Sequence, residues 1–406
     1  MKKAALLSLV IPTKNRYSYL THLVRYLSKI ESKELEIIIQ DNSEDNTKFQ
    51  STLKEINDQR IKYYHHPDWL SVSDNCEMSI NHANGEFVCM IGDDDGITPH
   101  ILDAARWMKI SNIDAILSSK PTYHWPGIIS RLGGITEKGR LLLTNYTGSA
   151  RRIDVDEEFK KVLDCGGTHL HSLPRVYHGI VARKCLDQLR NIAKTCFPGP
   201  SPDMSNAIGL SSTVKTMYYI DIPLIINGNC ASSAGGLGAR GAHHGEIHNM
   251  KFLPPNLANS WPKLIPYFWS GPTILAASAV LALINTKRSG KIYEINLPAL
   301  YSTCLVYHYN YKDRIYQAAQ NSKALNLINF AKFSFNIFEI VFLRAKMLAI
   351  NIFKRSQQIM IANKISYDVS NIENAINYIL STKKYQSSLA RLSQIKILTS
   401  STANEN

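Results

Sequence analysis

From residue 6 to residue 117 the chain alternates short apolar runs with amphipathic stretches, and that rhythm narrows the possible folds more than any other feature. The runs at 6–11, 36–40, 61–64, 87–91 and 115–117 have the length of buried strands. Between them, 17–28, 47–57, 73–83 and 100–109 read as helices; Leu20, Leu23, Val24 and Leu27 share one face of the first. For the third, Ser73 or Asp74 is the expected N-cap, with Gly85 just beyond the C-terminus. Strands separated by helices make βαβ units, so the fold class is α/β, a mostly parallel sheet with helices on both faces. Such sheets bind ligands beyond the carboxyl ends of their strands. Thr13, Asp41 and Asp93 all fall at such ends and are expected to face one crevice.

Further on the pattern loosens. Residues 119–170 read as an insertion or mobile loop region, 178–181 and 216–220 as strands, and 227–248 as a glycine-rich segment without pattern, a candidate lid. From about residue 256 the character is helical. The expected division is a catalytic and nucleotide-binding domain over 1–250 and an α-helical region over 251–406.

The formal net charge of +13 implies an anionic partner: nucleic acid, an anionic membrane face or phosphorylated substrates. No nucleic-acid-binding motif is evident, so nucleic acid is not expected. Seven cysteines without a CxxC pair argue for a reducing compartment and against a disulfide framework or a zinc site. The apolar start, 4–10, runs straight into Pro12 and a polar turn, which suits a buried strand better than a signal peptide. The longest apolar stretch, 273–284, is too short to span a membrane.

Three consecutive carboxylates, Asp93, Asp94 and Asp95, close the apolar run 87–91. Carboxylates so placed raise one another's pKa unless a cation shares them. A hard divalent ion, Mg²⁺ or Mn²⁺, takes oxygen ligands and bridges to substrate phosphates. An acidic turn is the plainer alternative, since Asp and Gly favour turns.

The ordered set of residues 8–16 (SLVIPTKNR), 36–43 (EIIIQDNS) and 84–95 (NGEFVCMIGDDD) resembles the family 2 glycosyltransferases of the GT-A fold, among them bacterial O-antigen and capsule transferases. The resemblance implies an inverting, metal-dependent transfer of a hexosyl or N-acetylhexosaminyl group from a nucleotide-sugar, a UDP-sugar by family habit. The acceptor would be a glycan or a lipid-linked glycan. It also implies residue roles. Pro12, Thr13, Asn15, Arg16 and Asn75 would line the nucleotide pocket, Asp41 would accept from the base, and Asp93 would hold the ribose. Asp94, counted back from Pro99, would bind the metal, with Asp95 nearby. Asp41 also reads as the Asx turn that ends its strand. Asp74-Asn75 stands where many relatives carry Arg-Asn, a departure that costs a phosphate contact.

Asp203 follows a proline-rich segment, 197–202, and opens a short helix, where the family places its general base. A carboxylate at a helix N-terminus is also stabilised by the dipole alone. In the loop 232–248, Arg240 is a candidate for the diphosphate and His243 for the metal shell.

A sugar-phosphate nucleotidyltransferase shares the strand–helix layout, but residues 8–20 lack the glycine-rich phosphate loop that class needs. A non-catalytic basic membrane- or nucleic-acid-binding protein is the third reading. Residues 323–364 bear on it: Lys323, Lys332, Arg344, Lys346, Lys354, Arg355 and Lys364 face a single acid, Glu339, with Phe and Ile at helical spacing. Such a helix can lie on an anionic bilayer, placing the protein peripherally on the cytoplasmic face of the cell membrane, or can pack on its own domain.

Overall fold

The computed structural model describes all residues except 1–4, 131–133, 136–137, 234–243, 323–333, 339–340, 343–365 and 395–406. Its strands are β1 (Leu7–Thr13), β2 (Leu35–Asp41), β3 (Ile61–His65), β4 (Phe87–Met90), β5 (Gly96–Ile97), β6 (Ala115–Ser119), β7 (Thr122–His124), β8 (Ile129–Ser130), β9 (Gly134–Ile135), β10 (Arg140–Leu142), β11 (Ala150–Ile153), β12 (Gly179–Ala182), β13 (Met217–Pro223), β14 (Ile225–Asn229) and β15 (Ser366–Asp368). The helices of the same half are α1 (Tyr17–Leu27), α2 (Thr47–Ile56), α3 (Val72–Asn81), α4 (Ile101–Ile110), α5 (Val155–Asp164), α6 (Arg183–Ala193) and α7 (Pro202–Leu210).

Eight strands form the main sheet in the order β11-β13-β6-β12-β4-β1-β2-β3. Neighbours run parallel from β4 to β3 and between β6 and β13. β12 is antiparallel to both its neighbours, and β11 closes the edge antiparallel. Every residue of β2, β4 and β12 is buried, and all of β1 but Pro12 is at least as deep. A strand covered on both faces cannot alternate polar with apolar, which is why these runs are continuously apolar. The expected α/β class and the helical character of the C-terminal region hold.

Register does the positioning. Thr13 pairs with Asp41 across β1 and β2, and Val10 with Met90 across β1 and β4. The turns after the three strands therefore open at one end of the sheet.

Three local expectations need correction. Ser71 caps α3, accepting from the Asp74 backbone and donating to the Asp74 carboxylate, so neither Ser73 nor Asp74 is the N-cap. The supposed loop region after residue 119 contains β7, β10, β11 and α5, the last capped by Asp154. Strands of three or four residues are too short to show a period. They belong to a second sheet, β15-β10-β7-β14-β5, or to the first sheet's edge. The start of the supposed lid, 227–229, is the end of β14; 234–243 lies outside the described residues.

The apolar stretch at 273–284 lies in a helix, Gly271–Asn285, closed at its start by a capping box between Ser270 and Thr273. Most of it is buried, packed on α7, although Ile284 stays exposed; Ser278 Oγ accepts from the Ser201 backbone at 2.8 Å. The last described helices, Ile372–Ser381 and Lys383–Gln394, return to the first half of the chain. Ile372 and Ile376 abut Gly96, and the Tyr385 hydroxyl lies 3.2 Å from Thr98 Oγ1 and 3.0 Å from His100 Nδ1.

Candidate active site

The turn after β4 carries Asp93, Asp94 and Asp95, all buried although ionisable. Each is held differently. Asp93 accepts from Thr13 Oγ1 at 2.6 Å and from Arg16 Nε at 3.1 Å, and the Arg16 guanidinium closes a second contact on its other oxygen. Arg16 also reaches Asp94 Oδ1 at 3.4 Å and Cys230 Sγ at 3.3 Å. One guanidinium thus serves two adjacent carboxylates. Burial, with Asp94 adding to it, pushes the Asp93 carboxyl up against the pull of Arg16 and Thr13. Burial and the nearby Asp95 likewise raise Asp94.

Asp94 Oδ2 is buried and has no hydrogen-bond partner among the described residues. Its backbone carbonyl is fixed by Trp125 Nε1 at 2.8 Å. An ionisable oxygen shut from water without a donor is costly unless a cation or substrate donor supplies the partner. This is the oxygen that fits a divalent ion. Among the described residues no group of three His, Cys, Asp or Glu side chains converges to form a complete cage. A cation here would therefore draw its other ligands from substrate and water, as Mg²⁺ does.

Asp95 does not share that role here. Its Oδ2 accepts from the Gly92 backbone at 2.6 Å, His178 Nε2 at 2.6 Å and the Tyr177 hydroxyl at 3.3 Å; its Oδ1 accepts from the Gly228 backbone at 2.6 Å. With both oxygens occupied by protein donors, it ties the turn to β12 and β14 and is not a free metal ligand. Burial pushes its pKa up, but His178 and the two backbone N–H groups outweigh that and hold it below the usual carboxylate value. Gly228 can sit so close only without a side chain: a Cβ there would meet the Asp94 carbonyl oxygen at 1.7 Å.

Asp41 is wholly buried at the end of β2. Its Oδ1 accepts from the Ser43 backbone at 2.8 Å, and its Oδ2 accepts from the Tyr17 and Tyr63 hydroxyls, both at 2.6 Å. Those rings flank Phe49, with Tyr17 stacked at 5.2 Å. Both the Asx turn and an aromatic cluster are present, and Asp41 ties the two together at the end of β2. Asn15 adopts φ +57°, a left-handed conformation Asn tolerates, and donates its backbone N–H to Ser43 Oγ at 2.8 Å. Asn75 lies beneath Thr13, with Nδ2 at 3.4 Å from the Thr13 carbonyl and a buried Oδ1 without a donor among the described residues. Pro12 is half-buried in β1. Arg240 and His243 lie outside the described residues.

Asp203 stands in the first turn of α7, behind Pro202 at the first helical position. It is partly accessible and accepts no hydrogen bond from a described residue. Burial raises its pKa, opposed by His178, Arg175 and Lys120. Two other acids of this half are spoken for: Asp221 accepts from Thr147, and Glu246 is paired to Arg314.

Pattern alone did not reveal Lys120, nor that it partners His178. Lys120 Nζ lies 2.8 Å from His178 Nδ1. An ammonium only donates, so Nδ1 accepts and the ring proton sits on Nε2, pointed at Asp95. His178 holds φ +58°, a conformation that pattern does not betray.

Residues 8–136 match the family described as Glycosyl transferase family 2. This segment belongs to that family. The family 2 segment runs from Ser8 in β1 through β9 and holds the whole acidic turn. A curated relative, the GalNAc(5)-diNAcBac-PP-undecaprenol beta-1,3-glucosyltransferase of Campylobacter jejuni, is 35% identical over 91 residues, which is 22% of this chain and 29% of the relative. The match thus spans under a third of that protein's length. Two solved structures are similar at lower identity. S. aureus TarS 1–349 in complex with UDP-GlcNAc is 14% identical, over 78% of this chain and 90% of that one, with a TM-score of 0.45. The mannosyltransferase PcManGT from Pyrobaculum calidifontis, in complex with GDP-Man and Mn²⁺, is 13% identical over 84% and 86%, with a TM-score of 0.38. Likeness at that level says nothing about ligand or reaction.

Proposed function

We propose that this chain transfers a sugar from a nucleotide-sugar, a UDP-sugar by preference, to a glycan or lipid-linked glycan acceptor, with inversion and with a divalent cation. The observation that carries the reading is the buried Asp94 Oδ2, without a donor among the described residues, beside the Arg16-locked Asp93 at the carboxyl ends of parallel strands in a family 2 segment. The lipid-linked acceptor is taken from the name of the Campylobacter relative.

The residues divide the work. Asp94 would hold Mg²⁺ or Mn²⁺, which when bound neutralises charge on the leaving diphosphate. Asp93, held by Thr13 and Arg16, would keep Arg16 fixed on the ribose side of the donor. The aromatic cluster held by Asp41 shapes the pocket where the base would lie. Asp203, which accepts no hydrogen bond from a described residue and has a raised pKa, takes the proton of the acceptor hydroxyl as that oxygen attacks C1, and the nucleoside diphosphate leaves from the opposite face.

Location forms part of the proposal. Among the described residues no helix is long and apolar enough to cross a membrane. Phe335, Phe338 and Phe342 are exposed, at 66%, 69% and 58%, within the basic stretch 323–364. The lysines and arginines of that stretch lie outside the described residues; large aromatic side chains left in water within a basic stretch of sequence suit attachment to an anionic bilayer surface.

The test is donor turnover. The purified protein with Mn²⁺ should bind and slowly hydrolyse a UDP-sugar, and Asp94→Asn should lose both the metal dependence and the turnover while melting normally. Undiminished turnover of Asp94→Asn in the presence of EDTA would refute the reading.

A further inference from the structure

Two basic side chains lie near Asp203 and are not among the residues assigned to the donor. Lys120 lies just past the carboxyl end of β6, and Arg175 three residues before His178, in the segment that leads into β12. That segment is tied to α7. Asn206, one turn beyond Asp203, accepts from the Val176 backbone at 2.9 Å, so Arg175 and Asp203 come to one junction.

Both cations are partly buried, and among the described residues neither forms an ion pair. Lys120 uses one N–H on His178. Arg175 uses Nη1 on the carbonyls of His171 and Leu173, both at 3.1 Å. Two ammonium protons and the Nε and Nη2 donors are left over. Burial, with the charge of Arg175 next, pushes Lys120 down to about 8; Asp95 and Asp203 pull the other way. Burial lowers Arg175 as well, with Asp203 opposing. Cations withdrawn from water without a bonded counter-ion are costly. Asp95 is already saturated by other donors, and Asp203 touches neither cation within hydrogen-bond reach. Spare, charge-assisted donors are what an oxyanion binds.

We propose that Lys120 and Arg175 form an oxyanion subsite for the acceptor: the acceptor carries a phosphate or carboxylate group that these two side chains grip while its hydroxyl lies at Asp203. This rests on the transferase reading above and names the acceptor's chemical class. Phosphate of a lipid carrier and carboxylate of an acidic sugar share the chemistry.

The experiment is titration calorimetry on the full chain saturated with UDP and Mg²⁺, so that the diphosphate position is filled. Inorganic phosphate and glucuronate are the two probes. At least one should bind saturably, and its preference over the other identifies the source. Arg175→Gln and Lys120→Met should each weaken that binding tenfold or more, and Arg175→Lys should restore part of it. Asp203→Asn should tighten it severalfold, because a like charge is removed. A merely structural role for the two cations would lower the melting temperature without moving anion affinity. Failure of both anions to bind the UDP-loaded protein, or equal binding by the variants, would overturn the proposal. If UDP itself does not bind, the transferase reading fails separately, and the same titrations without nucleotide still decide whether the two cations hold an anion.

Discussion

Removing the positive charge at Arg16 is the sharpest test of the acidic turn. Asp93 is fully buried and Asp94 nearly so, and the Arg16 side chain, about a fifth exposed, is the cation that contacts both. Arg16→Met keeps much of the side-chain volume and leaves two adjacent carboxylates without a counter-ion. Breaking a buried pair in this way costs about 3–5 kcal/mol. Because Arg16 keeps some solvent, we take the lower end, about 3 kcal/mol. The loss should depend on pH, and its sign follows from the direction of the shift. Burial raises the folded-state pKa of Asp93, so the native state binds more protons than the unfolded chain between the ordinary carboxylate value of about 4 and the raised one. Stability therefore falls as pH rises through that window, and more steeply once Arg16 no longer opposes the shift. Urea melts of both proteins without metal, at pH 5 and pH 8, should show a larger deficit at pH 8, and saturating Mn²⁺ should recover part of it. A deficit below about 1 kcal/mol at pH 8, or equal deficits at both pH values, would refute the counter-ion role.

Other expectations are as direct. Asp203→Asn should bind UDP-sugar normally and lose about 10²–10⁴ in kcat, which stopped-assay turnover checks; near-normal turnover would move the base elsewhere. In the unmodified protein the acid limb of the kcat profile should lie above the ordinary carboxylate range, since burial raises Asp203, and activity should fall as pH drops through it. Gly228→Ala places a methyl against the Asp94 carbonyl, so UDP affinity in calorimetry should fall steeply even in molecules that still fold. Sedimentation with anionic vesicles at low salt should carry the protein down and neutral vesicles should not, while Phe338→Ser with Phe342→Ser should reduce the bound fraction; equal recovery with both vesicle types would refute bilayer attachment.

What could be read in advance was what local pattern encodes. Continuous apolar runs marked β1, β2 and β4, and their ends brought Thr13, Asp41 and Asp93 to one edge because parallel register leaves little choice. Arg16 was placed in the pocket, but its service to two carboxylates depends on a three-dimensional fan of distances that spacing does not show. Asp95 read as a nearby second candidate to Asp94; what sets it apart is a backbone N–H at Gly228, 133 residues away in sequence. Lys120 and His178 flank separate strands, and nothing in either neighbourhood marks them as partners. The short strands of the second sheet likewise exist only because distant segments pair.

The last helices brace the acidic turn from behind, and this sets the order in which the molecule can be finished. Tyr385 meets Thr98 across 287 residues of chain. At a synthesis rate of roughly 5–20 residues per second, the segment carrying the carboxylates waits tens of seconds on the ribosome before its rear support exists. The turn gains this support only once the chain has been made past residue 385, so a product halted before that point would carry Asp93, Asp94 and Asp95 without the brace behind them.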